Sequence, residues 1–460
     1  MNTKRLSRRD FLRLSLIAAG GASLAACDGQ FLEFLRGDRP NFLIILTDDQ
    51  RADTIQYMPR TKARIFEEGV TFEHGYATTP ICGPSRRSLL TGMYAHTHGT
   101  LDNAEENFED KTFIDHLADN GYFTGLVGKY ANTWNGTPRP EFDYWVSIQN
   151  GSSRYLNPRL NVNGEWSRHQ GEYITDAFGR YALEFIEIAS RKTRPFCLFF
   201  CPNAPHDPAT PAEKDAATAL ELPEKPPSYN EADISDKPNW LANIPPMTDA
   251  DMQNLEAFKR DQILSLFSLD RAIDALLTRL DEEGLLDTTA IFFLSDNGKL
   301  WGEHRWTTKN SVYEESARIP FALRYPPLTS TPSVEERVVA NIDIAPTVYE
   351  LADIPSPEGV EGESLVDLLT PDGTDWREGI LIEGWPGRGF YSAYHMGDYV
   401  YVETRWDKSE FYDLKKDPYQ LENAIDDPEY QTLIEHMRAK LAELKREDIA
   451  PSESSDDETE

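Results

Sequence analysis

Two uninterrupted apolar runs in this chain end in acidic groups. "FLIIL" (Phe42 to Leu46) leads into Thr47-Asp48-Asp49-Gln50, and "AIFFLS" (Ala290 to Ser295) leads into Asp296-Asn297-Gly298. Such runs leave no polar face, so each is expected to be a strand covered on both sides, as in a sheet sandwiched between helices. "FTGLVG" (Phe123 to Gly128) and "FCLFF" (Phe196 to Phe200) have the same character. Helical patterns lie between them, notably Tyr173 to Ser190 and about Asp249 to Glu283, with a later helix over Asn341 to Ile354. The alternation predicts an α/β fold with a large mixed sheet flanked by helices. In open sheets of this kind ligands collect outside the carboxyl ends of the strands. Asp48, Asp49, Asp296 and Asn297 are therefore the first candidate site. Three carboxylates and an amide are hard oxygen donors, suited to calcium or magnesium rather than zinc.

The pattern changes after the turn-rich "TPDGTDW" (Thr370 to Trp376). "GILIEGW", "YSAYHMGDYVYVET" and "EFYDL" alternate as strands do, and Glu429 to Lys445 has the spacing of one amphipathic helix. A smaller C-terminal antiparallel sheet with one helix is expected there. The resulting division is a signal segment at 1–27, a linker at 28–39, a large domain at 40–370, a C-terminal subdomain at 371–447 and an acidic disordered tail at 448–460. The proline-rich stretch from Pro205 to Pro246 has no periodicity, and loops of that length commonly act as lids or binding segments.

A formal net charge of -32, with no basic patch to offset it, excludes nucleic acid as a partner. At the N-terminus, Arg8 and Arg9 before Asp10-Phe11-Leu12 resemble a twin-arginine signal, and Leu24-Ala25-Ala26-Cys27 resembles a lipobox. The implied product is an exported protein, lipid-anchored through Cys27 at the outer face of the cytoplasmic membrane. Cys197 and Cys201 fall on one face of a strand about 13 Å apart, too far to bridge, and read as core. That leaves Cys82 without a disulfide partner. It is either a small buried hydrophobe at a helix start or the raw material of a nucleophile.

"CGPSRRSLLTG" (Cys82 to Gly92) resembles the type I sulfatase signature, C-x-P-S-R-x-x-x-L-T-G, at every specified position. "TDDQ", "GLVGKYAN", "APHDP", "SDNG", "GEHRWTTKNSVYEESARIP" and "FYDLKKDPYQLEN" surround it in the order such a protein requires, so the resemblance runs from about Pro40 to Asn423. "PPSYNEADISDKP" together with "GKYAN" is most similar to the N-acetylglucosamine-6-sulfatase branch. The resemblance implies an alkaline-phosphatase-like fold and hydrolysis of a sulfated carbohydrate or small sulfate ester. It further implies that a formylglycine-generating maturation enzyme oxidises Cys82 to formylglycine. Asp48, Asp49, Asp296 and Asn297 would hold calcium, Arg86 and Lys129 would stabilise the ionised aldehyde hydrate, and His206 and Lys309 would contact the sulfate and the leaving oxygen.

Many sulfatases have a histidine two residues after the lysine of the G-K motif, whereas Lys129 is followed here by Tyr130, Ala131 and Asn132. Asn132 is read as a polar substitute. His98, Asn103, His304, Arg305 and Trp306 complete the residues expected to line the substrate pocket, with His96 and Glu303 beside them. Two other readings fit the same motifs: a phosphodiesterase or phosphonate monoester hydrolase of the same superfamily, and a catalytically inactive lipoprotein that binds sulfated glycans. Nothing in the sequence specifies an oligomeric state.

Overall fold

Four parallel strands form the middle of a ten-stranded mixed sheet: β1 (Asn41–Thr47), β2 (Phe123–Gly128), β3 (Phe196–Cys201) and β4 (Thr289–Ser295), in the spatial order β4-β1-β3-β2. The computed structural model describes residues 39–445 except 105, 371–374 and 386–389. The expected signal segment with Cys27, nearly all of the linker, the acidic tail and part of the Thr370 to Trp376 turn lie outside the described residues.

Side chains alternate between two cores, as a strand buried on both faces requires. Phe42, Ile44 and Leu46 of β1 join one cluster, while Leu43 and Ile45 join the other. Leu89 and Leu90 of the helix Cys82–Thr91, together with Val348 of the helix Ile344–Leu351, pack in the first. The second is filled by the helices Ile174–Ser190 and Asp249–Glu282. The two helices approach closely at Gly179, where an added Cβ would lie 3.1 Å from that of Ala272. Thr248 and Asp251 start the longer helix by bonding each other's backbone N–H reciprocally. Cys197 and Cys201 are buried, free and in the same core.

Antiparallel elements flank the parallel centre. Phe321–Arg324 pairs with β4 on one side, and the hairpin Arg159–Val162 and Glu165–Arg168 closes the far side. The smaller sheet consists of Ile380–Gly384, Tyr391–His395, Tyr399–Thr404 and Glu410–Asp413, all antiparallel, with Gln431–Leu444 as its helix. Its core takes in Tyr76, Tyr94, Ala317 and Val338 from the larger body, so the two parts share one hydrophobic interior.

The proline-rich stretch contains two short helices, Glu213–Ala216 and Asn239–Ala242, and otherwise straps the loop after β4 to the small sheet. The Asn230 N–H donates to Gly302 O (2.7 Å), the His304 N–H to Ser228 O (2.8 Å) and the Lys237 ammonium to Leu421 O (2.8 Å). Among the described residues no helix is long and apolar enough to cross a membrane.

Candidate active site

β1 and β4 pair with Thr47 opposite Ser295, so their acidic ends emerge side by side. The Asp49 N–H donates to Asp296 Oδ1 (3.1 Å), and Asn297 Nδ2 donates to Asp49 Oδ1 (2.8 Å). Asp49 turns the chain with a left-handed φ of +64°, a conformation that Asp tolerates better than bulkier residues. All four side chains are buried.

The helix Cys82–Thr91 begins beside this corner. Its extended N-cap, Ile81, offers no side-chain cap, and Asn103 Oδ1 instead accepts the Gly83 N–H (2.7 Å). Pro84 sits in the first turn, where its missing N–H breaks no helical bond. Gly92 closes the helix with φ +74°. This holds Cys82 Sγ 3.4 Å from Asp48 Oδ1, 3.9 Å from Asp49 Oδ1 and 2.8 Å from Lys309 Nζ.

Four cationic side chains surround the three carboxylates. Lys129 Nζ donates to Asp48 Oδ2 (2.8 Å), and Arg86 reaches Asp296 Oδ2 through Nε (2.9 Å) and Nη2 (2.8 Å). Lys309 pairs with Asp49, and Lys299 Nζ lies 3.5 Å from Asp49 Oδ2 and 3.0 Å from Asp207 Oδ2. Lys129 owes its place to Gly128, whose φ is +125° and where an added Cβ would lie 1.9 Å from Cys201 O. Only glycine lets β2 approach β3 that closely while turning Lys129 toward Asp48. His206 donates from Nδ1 to Asp207 O (2.9 Å), so its Nε2 faces the site, 3.9 Å from Asp49 Oδ2.

The electrostatics are those of a densely charged, dry corner. Burial alone would raise the Asp48 carboxyl, but Lys129, His206 and Arg86 hold it below the ordinary range. Asp49 is held down likewise by Lys309, His206 and Lys299 against its burial. Asp296 goes the other way, pushed up by burial and the Asp48 charge despite Arg86. His206 is opposed by burial yet lifted to about 10 by Asp48 and Asp49.

These residues fit a hard divalent cation. Asn297 Oδ1 is buried with no hydrogen-bond partner among the described residues, an arrangement costly for an amide oxygen unless something accepts its lone pairs. Asp49, which accepts from Asn297 Nδ2, and Asp296, which accepts the Asp49 N–H, bring carboxylates to the same corner, and Asp48 and Asp49 each offer an oxygen to one point. Cys82 and His206 come within 4.8 Å of Asp48 and Asp49 donor atoms, so the thiol and imidazole border the same point. With Lys129, Arg86, Lys309, Lys299 and His206 set against Asp48, Asp49, Asp296 and Asp207, the corner carries a slight excess of positive charge in a protein of net charge -32, which suits an anionic ligand.

The residues expected to line the pocket divide into two groups. Asn132 stands beside Lys129: a Cβ on Gly151 would meet Asn132 Oδ1 and Lys129 Cε, each at 3.0 Å. Its N–H is held by Glu106 (3.1 Å), and its buried Oδ1 has no partner among the described residues. Asn103 caps the helix that carries Cys82, and Trp306 donates from Nε1 to Lys309 O (3.1 Å). The other three are each bonded to neighbouring loops. His98 is buried, contacts Ser88 Oγ through Nε2 (3.0 Å) and accepts the Thr100 N–H at Nδ1 (3.1 Å), so it fastens a loop. His304 is buried against Glu231 (2.6 Å) and Tyr313, and Arg305 donates to the carbonyls of Glu231, Ala232 and Ile244. Both anchor the proline-rich strap. Lys299 joins the site without being among the expected residues, and its position three residues after Asp296 in "SDNGK" is the signal the sequence offers.

Known proteins are similar to this chain along most of its length. The family model described as "Sulfatase" matches residues 40–354, and that of "N-sulphoglucosamine sulphohydrolase, C-terminal" matches residues 302–447. The N-acetylglucosamine-6-sulfatase of Homo sapiens is 31% identical over 80% of this chain and 71% of its own length. An extracellular sulfatase SULF-1 homolog of Drosophila melanogaster is 31% identical over 76% of this chain. The chain spans only 33% of that protein, and 52% of a Caenorhabditis elegans Sulf-1 homolog. The solved structure of BT4656 with its substrate D-glucosamine-2-N,6-O-disulfate has a TM-score of 0.76 and 25% identity, covering 88% of this chain and 97% of that one.

Proposed function

Because the chain belongs to the sulfatase family, we propose that it hydrolyses sulfate esters of a sulfated sugar, with a glucosamine 6-sulfate as the favoured substrate class. The meeting of Cys82 with three carboxylates and four cations at the strand ends carries this reading. The substrate class is supported by the names of the N-acetylglucosamine-6-sulfatase relative and of the disulfated glucosamine bound by BT4656. In this proposal Cys82 is present as formylglycine, and Asp48, Asp49, Asp296 and Asn297 hold calcium. Formylglycine would supply a hydroxyl nucleophile and calcium a Lewis acid for the anionic ester.

The chain's own residues do the remaining work. A sulfate ester resists attack because its anionic oxygens repel a nucleophile, so cations fixed where charge develops are needed. Lys309 and Lys299 neutralise the sulfate oxygens on the side of Asp49, while Arg86 and Lys129 stabilise negative charge near residue 82. The first turn of the Cys82–Thr91 helix points its positive end at the same place. His206, tied through Nδ1, holds a proton at Nε2 for the leaving alcohol.

That role has a signature. His206→Gln lowers kcat for a sugar or alkyl sulfate by about 10² to 10⁴-fold and costs far less with nitrophenyl sulfate, whose leaving group departs unprotonated. Equal losses on both substrates contradict the assignment. The activity itself is tested with matched sulfate, phosphate and phosphonate esters at saturating calcium: sulfate is expected to be preferred. Preference for a phosphorus ester, or no turnover of any ester, overturns the reading.

The proposed location is the outer face of the cytoplasmic membrane, with lipid on Cys27. The twin-arginine and lipobox motifs support it, as do the extracellular sulfatases among the relatives. A Cys27→Ala variant is expected in the soluble fraction of cells, and its retention in membranes contradicts the anchor.

A further inference from the structure

We infer that the end of the small sheet is a second carbohydrate-binding surface, which grips a sulfated polysaccharide chain beyond the sugar being cleaved. The inference rests on the proposed activity for its substrate class, but its observations lie outside the catalytic corner.

The surface begins next to that corner. Asn310 follows Lys309, and an added Cβ on Gly384 would lie 2.7 Å from Asn310 Oδ1. Gly384 pairs with Tyr391 at the end of the sheet, and the rings of the adjoining Trp385 and Phe390 meet at 5.2 Å. Phe390 O accepts the Arg405 N–H (2.8 Å), and the Arg405 guanidinium lies 4.0 Å above the ring of Trp406. The order is therefore catalytic lysine, aromatic pair, then a cation stacked on a tryptophan. Beside it opens a cavity of about 430 Å³ lined by Phe390, Tyr401, Arg405, Arg438 and Lys445, among others.

Trp406 has no structural reason to be tryptophan. It is 89% exposed and adopts φ +60° at the tip between Tyr399–Thr404 and Glu410–Asp413. Glycine or asparagine takes that conformation at less cost. The tip is nevertheless held firmly, because Asp407 accepts from Asn239 N–H (2.7 Å) and Nδ2 (2.8 Å). A fixed, solvent-facing aromatic plane is suited to the apolar face of a sugar ring.

The charges point to an anionic chain. Lys445 pairs with Glu403 (2.6 Å), whereas Arg405, stacked on Trp406, forms no ion pair among the described residues. Arg438 donates to the Tyr401 hydroxyl (3.0 Å) and is also drawn toward Glu403 and Glu435. An arginine without an ion pair among the described residues is conspicuous in a chain with 78 acidic and 46 basic residues, and guanidinium geometry matches sulfate oxygens well.

The test uses the full mature protein with heparin as the polymeric probe, uncharged dextran as control and glucosamine 6-sulfate as the small substrate. Trp406→Ala and the pair Arg405→Gln with Arg438→Gln are each expected to weaken heparin binding about tenfold. The paired variant should also flatten its salt dependence, with melting temperature and kcat/KM on glucosamine 6-sulfate unchanged. Unchanged heparin affinity in both variants, equal binding of dextran, or a parallel fall in glucosamine 6-sulfate turnover overturns the inference. If the parent protein does not cleave glucosamine 6-sulfate while heparin binding still depends on Trp406 and the two arginines, the proposed activity fails and the binding surface stands.

Discussion

Cys82→Ala is expected to lower turnover on the order of 10⁶-fold, as removal of an indispensable nucleophile does, while the protein stays folded. Cys82 is fully buried at the first position of its helix, and alanine occupies that position without strain. Its loss removes one sulfur contact with Lys309 but leaves the pairing of Lys309 with Asp49. The stability cost should therefore be about 1 kcal/mol. Steady-state kinetics on a sulfated sugar, read beside thermal unfolding, separate the two effects. Retained turnover rejects residue 82 as the source of the nucleophile, and gross unfolding would show that the residue serves packing instead.

Asp296→Ala should remove the metal and much of the structure around it together. A Lewis-acid contribution of several kcal/mol corresponds to a rate loss of about 10³-fold or more. Arg86, buried, would lose its closest carboxylate and, among the described residues, keep Asp48 at 3.6 Å. Stranding a buried charge in this way costs roughly 3 kcal/mol. Asp296→Asn is the informative companion, since it preserves shape and a partner for Arg86 while removing the ligand's charge. Calcium content by elemental analysis and rate should fall in step for both variants, with the larger drop in melting temperature for alanine. Full activity in excess chelator would remove the ion from the account.

The parts of this molecule that the sequence made legible are those set by local rules. β1 and β4 are buried on both faces, so their apolar runs are unbroken and the polar residues that end them stand out at once. The Cys82 helix is legible because its start and stop need particular residues, Pro84 in the first turn and Gly92 at the end. The surroundings of His304 and Arg305 are not legible for the opposite reason. Their partners are Glu231, Ala232 and Ile244, in a strap without periodicity, and no local pattern tells whether an exposed-looking histidine or arginine will be covered by such a segment. His98 disappears under the same kind of long-range packing, with Ser88 as its partner. Lys299 was overlooked because a lysine in a loop is ordinarily solvated, and only the turn that follows β4 brings it back to Asp49. The shared core of the two sheets was equally hidden, since it depends on Tyr76 and Tyr94 meeting strands some three hundred residues later.

The whole account depends on residue 82 being chemically converted where carboxylates and cations converge. Mass spectrometry of the peptide spanning Ile81 to Arg86, taken from protein purified with its maturation enzyme, addresses this directly. The predicted result is an aldehyde at position 82 in the active fraction, at a level that tracks specific activity. A fully active protein in which that residue remains an unmodified thiol would contradict it.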